Sequence, residues 1–188
     1  MKQKKILLLG GSAQQVVAIK TAKELGYYTV LCDYLPDNPG QYVADKYYNE
    51  STTNVEAVYK IAKEEQVDGI LAYASDPAAL PGAIVAERLG LPTNPAKSVE
   101  VLGLKYPWRQ FLHENGFACP KFYSFHPNTP LHEIIEATKT FTFPVIVKPT
   151  DSSGSKGVTK LENWEELGNA IAWADSYSRN KVLLVEEY

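Results

Sequence analysis

The segment Pro144-Val145-Ile146-Val147-Lys148-Pro149-Thr150-Asp151-Ser152-Ser153-Gly154-Ser155-Lys156-Gly157-Val158 holds the residues of this sequence best suited to chemistry. An apolar run ends by presenting one lysine, a loop of serines and glycines follows, and Val158 returns the chain to structure. Small residues let backbone N–H groups and serine hydroxyls approach phosphate oxygens closely. A lysine fixed beside such a loop adds a point positive charge. The chemistry indicated is the holding of phosphate groups. The plainer alternative is an exposed hairpin turn with an incidental lysine, but a charge at the end of an apolar strand calls for a partner. Lys156, within the loop, reads as a solvated side chain.

The elements that must position this loop follow from the apolar pattern. Ile6 to Leu9, ended by Gly10-Gly11, suits a strand buried on both faces of a parallel sheet. Ser12 caps a helix in which Val16, Val17, Ile19, Ala22 and Leu25 recur at helical spacing up to Gly26. Tyr28 to Cys32 is a strand closing on Asp33, and Leu35 to Gly40 is a loop. Thr53 with Glu56 forms a capping box for a helix to about Glu65, Gly69 to Tyr73 is a strand, and Asp76-Pro77 opens a helix that runs to Gly90. Strands alternating with helices predict a doubly wound parallel sheet, with functional groups at the carboxyl ends of its strands. Gly11, Ser12, Asp33, Ser75 and Asp76 occupy such ends. Each also has a structural explanation, as a tight turn, a loop boundary or a helix cap.

The prolines of Leu91-Pro92-Thr93-Asn94-Pro95 break the alternation, which puts a domain boundary at residue 92. Beyond it the pattern predicts a helix from about Val99 to Asn115, a strand over Lys121 to Phe125 and a helix opened by Thr129-Pro130. A strand over Phe143 to Lys148, a helix carrying Trp164, Leu167, Ile171 and Ala174 on one face, and a strand over Val182 to Val185 complete it.

Composition narrows the function classes. Of 188 residues, 45% are hydrophobic and 22% charged, the balance of a packed globular protein. Nineteen basic against 22 acidic residues, with no basic block, argue against nucleic acid as partner. Cys32 and Cys119 stand apart, which argues against a disulfide or a zinc site and for a reducing, cytoplasmic setting. His113, His126 and His132 lie in three separate segments and read as surface or packing residues. No apolar run reaches the length of a membrane span.

Two further segments fall in order around the serine-glycine loop. Leu102-Gly103-Leu104-Lys105 leads into the stretch ending at Gly116 and Cys119-Pro120, and Leu184-Val185-Glu186-Glu187-Tyr188 follows the last helix. Together the three segments resemble the ATP-grasp superfamily, in the group containing the carbamoyl-phosphate synthase large chain, biotin carboxylase and the purine-pathway ligases. The resemblance implies an α/β chain: a doubly wound parallel-sheet, Rossmann-like pre-ATP-grasp domain over residues 1–92, then the first α+β subdomain of an ATP-grasp domain over 93–188. Lys105 and Lys148 resemble the two lysines on the nucleotide phosphates, and Ser153, Gly154, Ser155 and Gly157 the loop that covers them. Val158 resembles the apolar contact to adenine. Glu186, Glu187 and Tyr188 resemble the start of the adenine hinge, where a main-chain carbonyl of Glu186 or Glu187 accepts the amino group. Gly11, Ser12, Asp33, Ser75 and Asp76 match the part of the N-terminal domain that helps to bind acceptor substrate.

The activity so implied is an ATP-dependent ligase that turns a carboxylate or bicarbonate into an acyl phosphate and transfers it to a nitrogen nucleophile. Its partners are ATP and a small carboxylate or amine, with a homo-oligomer left open. The resemblance implies that the magnesium ligands come from a second subdomain beyond the hinge. The chain is therefore expected to be the N-terminal portion of the enzyme, or one product of a split gene, and not to turn over by itself. An NAD(P)-dependent Rossmann oxidoreductase is the rival, from the Gly10-Gly11 turn and Asp33, although the sequence after Gly10 lacks the G-x-G-x-x-G spacing. A non-catalytic nucleotide-binding module is the third reading; it leaves the joint occurrence of Lys105, Lys148 and the loop unexplained.

Overall fold

In the computed structural model, which describes residues 2–188, the apolar run before Gly10 forms strand β1 (Lys5–Leu9). It lies inside a parallel sheet of order β3-β2-β1-β4, with β2 at Tyr28–Asp33, β3 at Lys46–Asn49 and β4 at Gly69–Leu71. Strand side chains alternate between faces. Leu7, Leu9, Val30 and Cys32 accordingly pack with Val58, Ile61 and Ala62 of α2 (Val55–Glu65) and Ala78 and Val85 of α3 (Asp76–Leu89). Leu8 and Leu31 meet Ile19 of α1 (Val16–Glu24) on the other face. The sheet is thus wound on both sides.

Three local expectations are corrected. Asn54, not Thr53, caps α2, its side chain accepting the Ala57 N–H at 3.2 Å. Ser75 is the residue preceding α3, and Asp76 stands in its first turn. Strand β3 escaped the sequence reading because Lys46-Tyr47-Tyr48-Asn49 is an edge strand with no buried residue, so it shows no apolar alternation. At the amino ends of the strands, the buried Glu65 accepts from Lys5 at 3.2 Å, from the Tyr48 hydroxyl at 2.7 Å, and from Lys46.

The chain divides into two compact units, Met1–Glu100 and Val101–Tyr188. The sequence reading puts its boundary at residue 92; the later division reflects α4 (Ala96–Gly103), whose Ala96 N–H is fastened to the Glu87 carboxylate of α3 at 2.8 Å. The single helix expected from Val99 to Asn115 is two, α4 and α5 (Lys105–Glu114), because Leu104 adopts an extended conformation, φ −112° and ψ 128°.

The second unit holds an antiparallel sheet of order β5-β8-β6-β7: β5 Phe122–Phe125, β6 Val145–Pro149, β7 Thr159–Leu161 and β8 Leu183–Glu187. Val145, Val147, Leu183 and Val185 point to one face, where Ile134 of α6 (Leu131–Ala137) and Leu167, Ile171 and Ala174 of α7 (Leu167–Tyr177) complete the core. Alternation leaves Ile146 and Lys148 of β6 beside Leu184 and Glu186 of β8 on the opposite face.

Candidate functional site

Lys148 finds the partner that its position demands. Its Nζ donates to Oε1 of Glu186, a carboxylate only 6% exposed. Arg109, from α5, grips the same carboxylate with both arms of its guanidinium: Nε donates to Oε2 at 2.8 Å and Nη2 to Oε1 at 3.3 Å. Burial by itself would raise the Glu186 carboxyl, but hydrogen bonds from Arg109 and then Lys148 hold it below the usual carboxylate range. Two cations therefore face one carboxylate, and the cluster keeps a net positive charge. Arg109 is a member of this cluster that the sequence reading missed. The available signal was its place four residues after Lys105, which puts both on one face of a helix.

Lys105 begins α5 and is bound to the root of the serine-glycine loop. Its N–H donates to Thr150 O at 3.0 Å and its Nζ to Ser152 O. The loop is anchored by Asp151, whose Oδ2 accepts the N–H groups of Arg179 at 3.0 Å and Asn180 at 2.9 Å. Ser152 Oγ donates to Lys156 O at 2.9 Å. Beyond that root Ser153, Gly154, Ser155 and Lys156 are exposed. Gly154, Ser155 and Gly157 have φ of 66°, 58° and 73°, a left-handed conformation that glycine adopts freely and other residues rarely. Gly157 is buried: a Cβ there would lie 3.1 Å from Pro149 and 3.2 Å from the backbone of Ala174. Val158 is half-buried where the chain enters β7.

Glu186, Glu187 and Tyr188 differ in their bonding. Tyr188 N–H donates to Pro144 O at 3.0 Å, and bonded pairs alternate along an antiparallel ladder, so Glu186 exchanges its main-chain bonds with Ile146. Glu187 turns the other way, its N–H donating to Lys121 O at 3.0 Å while its carboxylate accepts the Thr142 N–H at 2.7 Å. Tyr188 is exposed, with Lys160 Nζ 5.0 Å from its ring centre.

In the first unit, Gly11, Ser12 and Asp33 come together, though by bonds among themselves and their neighbours. Asp33 Oδ2 accepts the Gly11 N–H at 2.7 Å and Oδ1 the Leu35 N–H at 2.8 Å. Each carboxylate oxygen thus accepts one backbone N–H, so Asp33 fixes the turn after β1 and the start of the loop after β2. Gln15, unremarked in the sequence, accepts from Ser12 N and Oγ at 2.9 Å and donates to Tyr73 O at 3.0 Å, binding the turn after β1 to the end of β4. Gly11 is required by space, since a Cβ would fall 2.1 Å from Asn38 Oδ1. Ser75 is half-buried and Asp76 exposed at the start of α3. A cavity of about 400 Å³ in this unit is lined by Val17, Thr21 and Leu25 of the α1 region with Ile6, Leu71 and Tyr73; it includes none of the five candidates.

Among the described residues, no group of three or more His, Cys, Asp or Glu side chains could hold a metal ion. No helix among them is long and apolar enough to cross a membrane.

Residues 111–188 match the family model described as the D-ala D-ala ligase C-terminus. The chain is 33% identical to a formate-dependent phosphoribosylglycinamide formyltransferase of Saccharolobus solfataricus, over 98% of this chain and 47% of that protein. It is 23% identical to a carbamoyl phosphate synthase large chain of Pseudothermotoga lettingae, over all of this chain and 18% of that one. A solved N5-carboxyaminoimidazole synthetase of Staphylococcus aureus, complexed with ADP, superposes with a TM-score of 0.77 at 20% identity, over all of this chain and 48% of that one. The chain spans about half the length of the formyltransferases that it matches.

Proposed function

We propose that the chain supplies one wall of the nucleotide site of an ATP-dependent ligase of the ATP-grasp superfamily, a reading supported by its similarity to the D-ala D-ala ligase C-terminus, the formyltransferases and the carbamoyl phosphate synthase. The parent enzyme would join a carboxylate or bicarbonate oxygen to the γ-phosphorus of ATP with loss of ADP. A nitrogen nucleophile would then attack the acyl carbon and expel phosphate. Such chemistry consists mainly of positioning and of stabilising charge on the transferred group.

The observation that carries this reading is the convergence of Lys148 and Lys105 on one loop root. One lysine stands on the strand entering the loop, and the other is bonded to the carbonyl of Ser152 within it. The net positive charge of the Arg109–Glu186–Lys148 cluster favours a polyanion. Ser153, Gly154 and Ser155 would bring N–H groups over the phosphates, with Gly157 as the packed pivot and Val158 against the base. Because the Glu186 carbonyl is engaged with Ile146 in the ladder, we assign the adenine amino group to the carbonyl of Glu187, with Tyr188 continuing the hinge. Gly11, Ser12, Ser75 and Asp76 are proposed to contact the acceptor substrate, and Asp33 to act through the turn that it holds. Among the described residues no cluster of His, Cys, Asp or Glu offers magnesium a site.

Calorimetric titration of the 188-residue chain with ADP tests the reading. Saturable binding is expected, and Lys148→Ala should weaken it about tenfold or more, the worth of one charge-assisted hydrogen bond. Equal affinity in the variant would overturn the assignment of Lys148.

A further inference from the structure

Glu186 is nearly enclosed: its side chain is 8% exposed, that of Lys148 13% and that of Arg109 22%. A buried carboxylate tolerates the departure of a counter-ion only if another remains. Lys148 touches Oε1 alone, whereas the planar fork of Arg109 covers both oxygens. The two cations are thus unequal. One is sufficient for Glu186 by itself, and the other is supernumerary to it.

We propose that Arg109 is a positioning residue, the permanent counter-charge of Glu186, which lets Lys148 turn to an anionic ligand without stranding a buried carboxylate. The inference rests on the nucleotide reading for the identity of that anion, a polyphosphate, but the division of labour between the cations is a property of the cluster itself. With Arg109 present the cluster is cationic; without it Lys148 and Glu186 cancel, and the ammonium is held as the sole partner of Glu186. A merely mechanical role is the competing account, since α5 buries no residue of its own and this pair ties it to β8.

The test separates the two on the complete chain. Acetylation of Lys148 by an amine-reactive ester, followed peptide by peptide in a mass spectrometer, is compared in the unmodified chain, Arg109→Met, Arg109→Met with Glu186→Gln, and Arg109→Lys. Lys148 should react about tenfold more slowly in Arg109→Met, because an ammonium held as the only counter-ion of a buried carboxylate is less often free to meet the ester. Adding Glu186→Gln should restore the rate, and Arg109→Lys should restore part of it. A purely mechanical tether predicts instead that the double variant stays as perturbed as the single one, and that result, or an unchanged rate in Arg109→Met, overturns the proposal. Inorganic tripolyphosphate serves as the anion probe. If the unmodified chain binds it and Arg109→Met binds it equally well, the proposal fails. If the unmodified chain does not bind it while the acetylation rates follow the expected order, the nucleotide reading fails and the role of Arg109 stands.

Discussion

Replacing Glu65 by Gln should loosen the first unit in a way that depends on pH. Hydrogen bonds from Lys46 and then Tyr48 draw the Glu65 carboxyl from 4.5 down to about 2. Taken whole, that difference is worth about 3 kcal/mol. Lys46 keeps 45% of its side chain in solvent and Lys5 30%, so screening brings the expected effect to about 1–2 kcal/mol. The raised Lys46 reports the same contact and is not counted again. Because the folded carboxyl titrates below the unfolded one, its stabilisation is complete above about pH 4.5 and disappears as the pH falls towards 2. Cys32 provides the reporter: it lies in the core of this unit, wholly buried, with burial first and then the nearby Glu50 and Asp33 pushing its thiol up to about 12. It can therefore react only when the unit opens. With Cys119→Ser to silence the other thiol, 4,4′-dithiodipyridine should label Cys32 about 5- to 30-fold faster in Glu65→Gln at pH 7, each factor of ten being about 1.4 kcal/mol. The two rates should draw together below pH 4. A ratio that stays constant from pH 7 to pH 3 would refute the electrostatic account and leave only a change of packing.

Two further outcomes are expected. Gly40→Ala should destabilise the first unit by about 1–3 kcal/mol, because its Cβ would stand 2.7 Å from the Gly11 backbone and 2.9 Å from Ile19; urea melts followed by circular dichroism should show a lower midpoint, and an unchanged midpoint would refute the clash. In the unmodified chain at pH 8, thiol reagents should modify the partly exposed Cys119 well before Cys32; mass mapping that finds Cys32 first would contradict its burial.

What the sequence discloses and conceals follows from the range of the forces involved. Apolar periodicity marked the strands around Leu7, Val30, Val145 and Leu184, since each is buried over most of its length. It was silent on β3, whose Tyr47 and Tyr48 are only half-buried at an edge. Glycine and proline signals placed the ends of α1 and α3, while the kink at Leu104 carries no such signal and was read through as continuous helix. The lysine and the serine-glycine loop stood out because local composition marks them. Glu186 was legible only as hinge backbone. That its carboxylate binds Lys148 from 38 residues away and Arg109 from 77 is a fact of strand pairing and of the α5 position, which no local pattern encodes. Asp33 was conspicuous as an acid at a strand end, yet its partners are two backbone amides, and backbone donors leave no mark on a sequence.

The pairing of β6 with β8 has one more consequence, for folding. Lys148 lies opposite Leu184 and Ile146 opposite Glu186, so the ammonium and carboxylate share a face only in this alignment. A slip of one residue would send one of the two charges into the apolar layer formed by Val145, Val147 and Val185, and leave the other alone. An uncompensated charge in such a layer costs about 3–5 kcal/mol, enough to deplete a misaligned strand pair by about two to three and a half orders of magnitude. The ion pair therefore acts as a proofreading device on the sheet: strands that close out of step isolate one of its two charges.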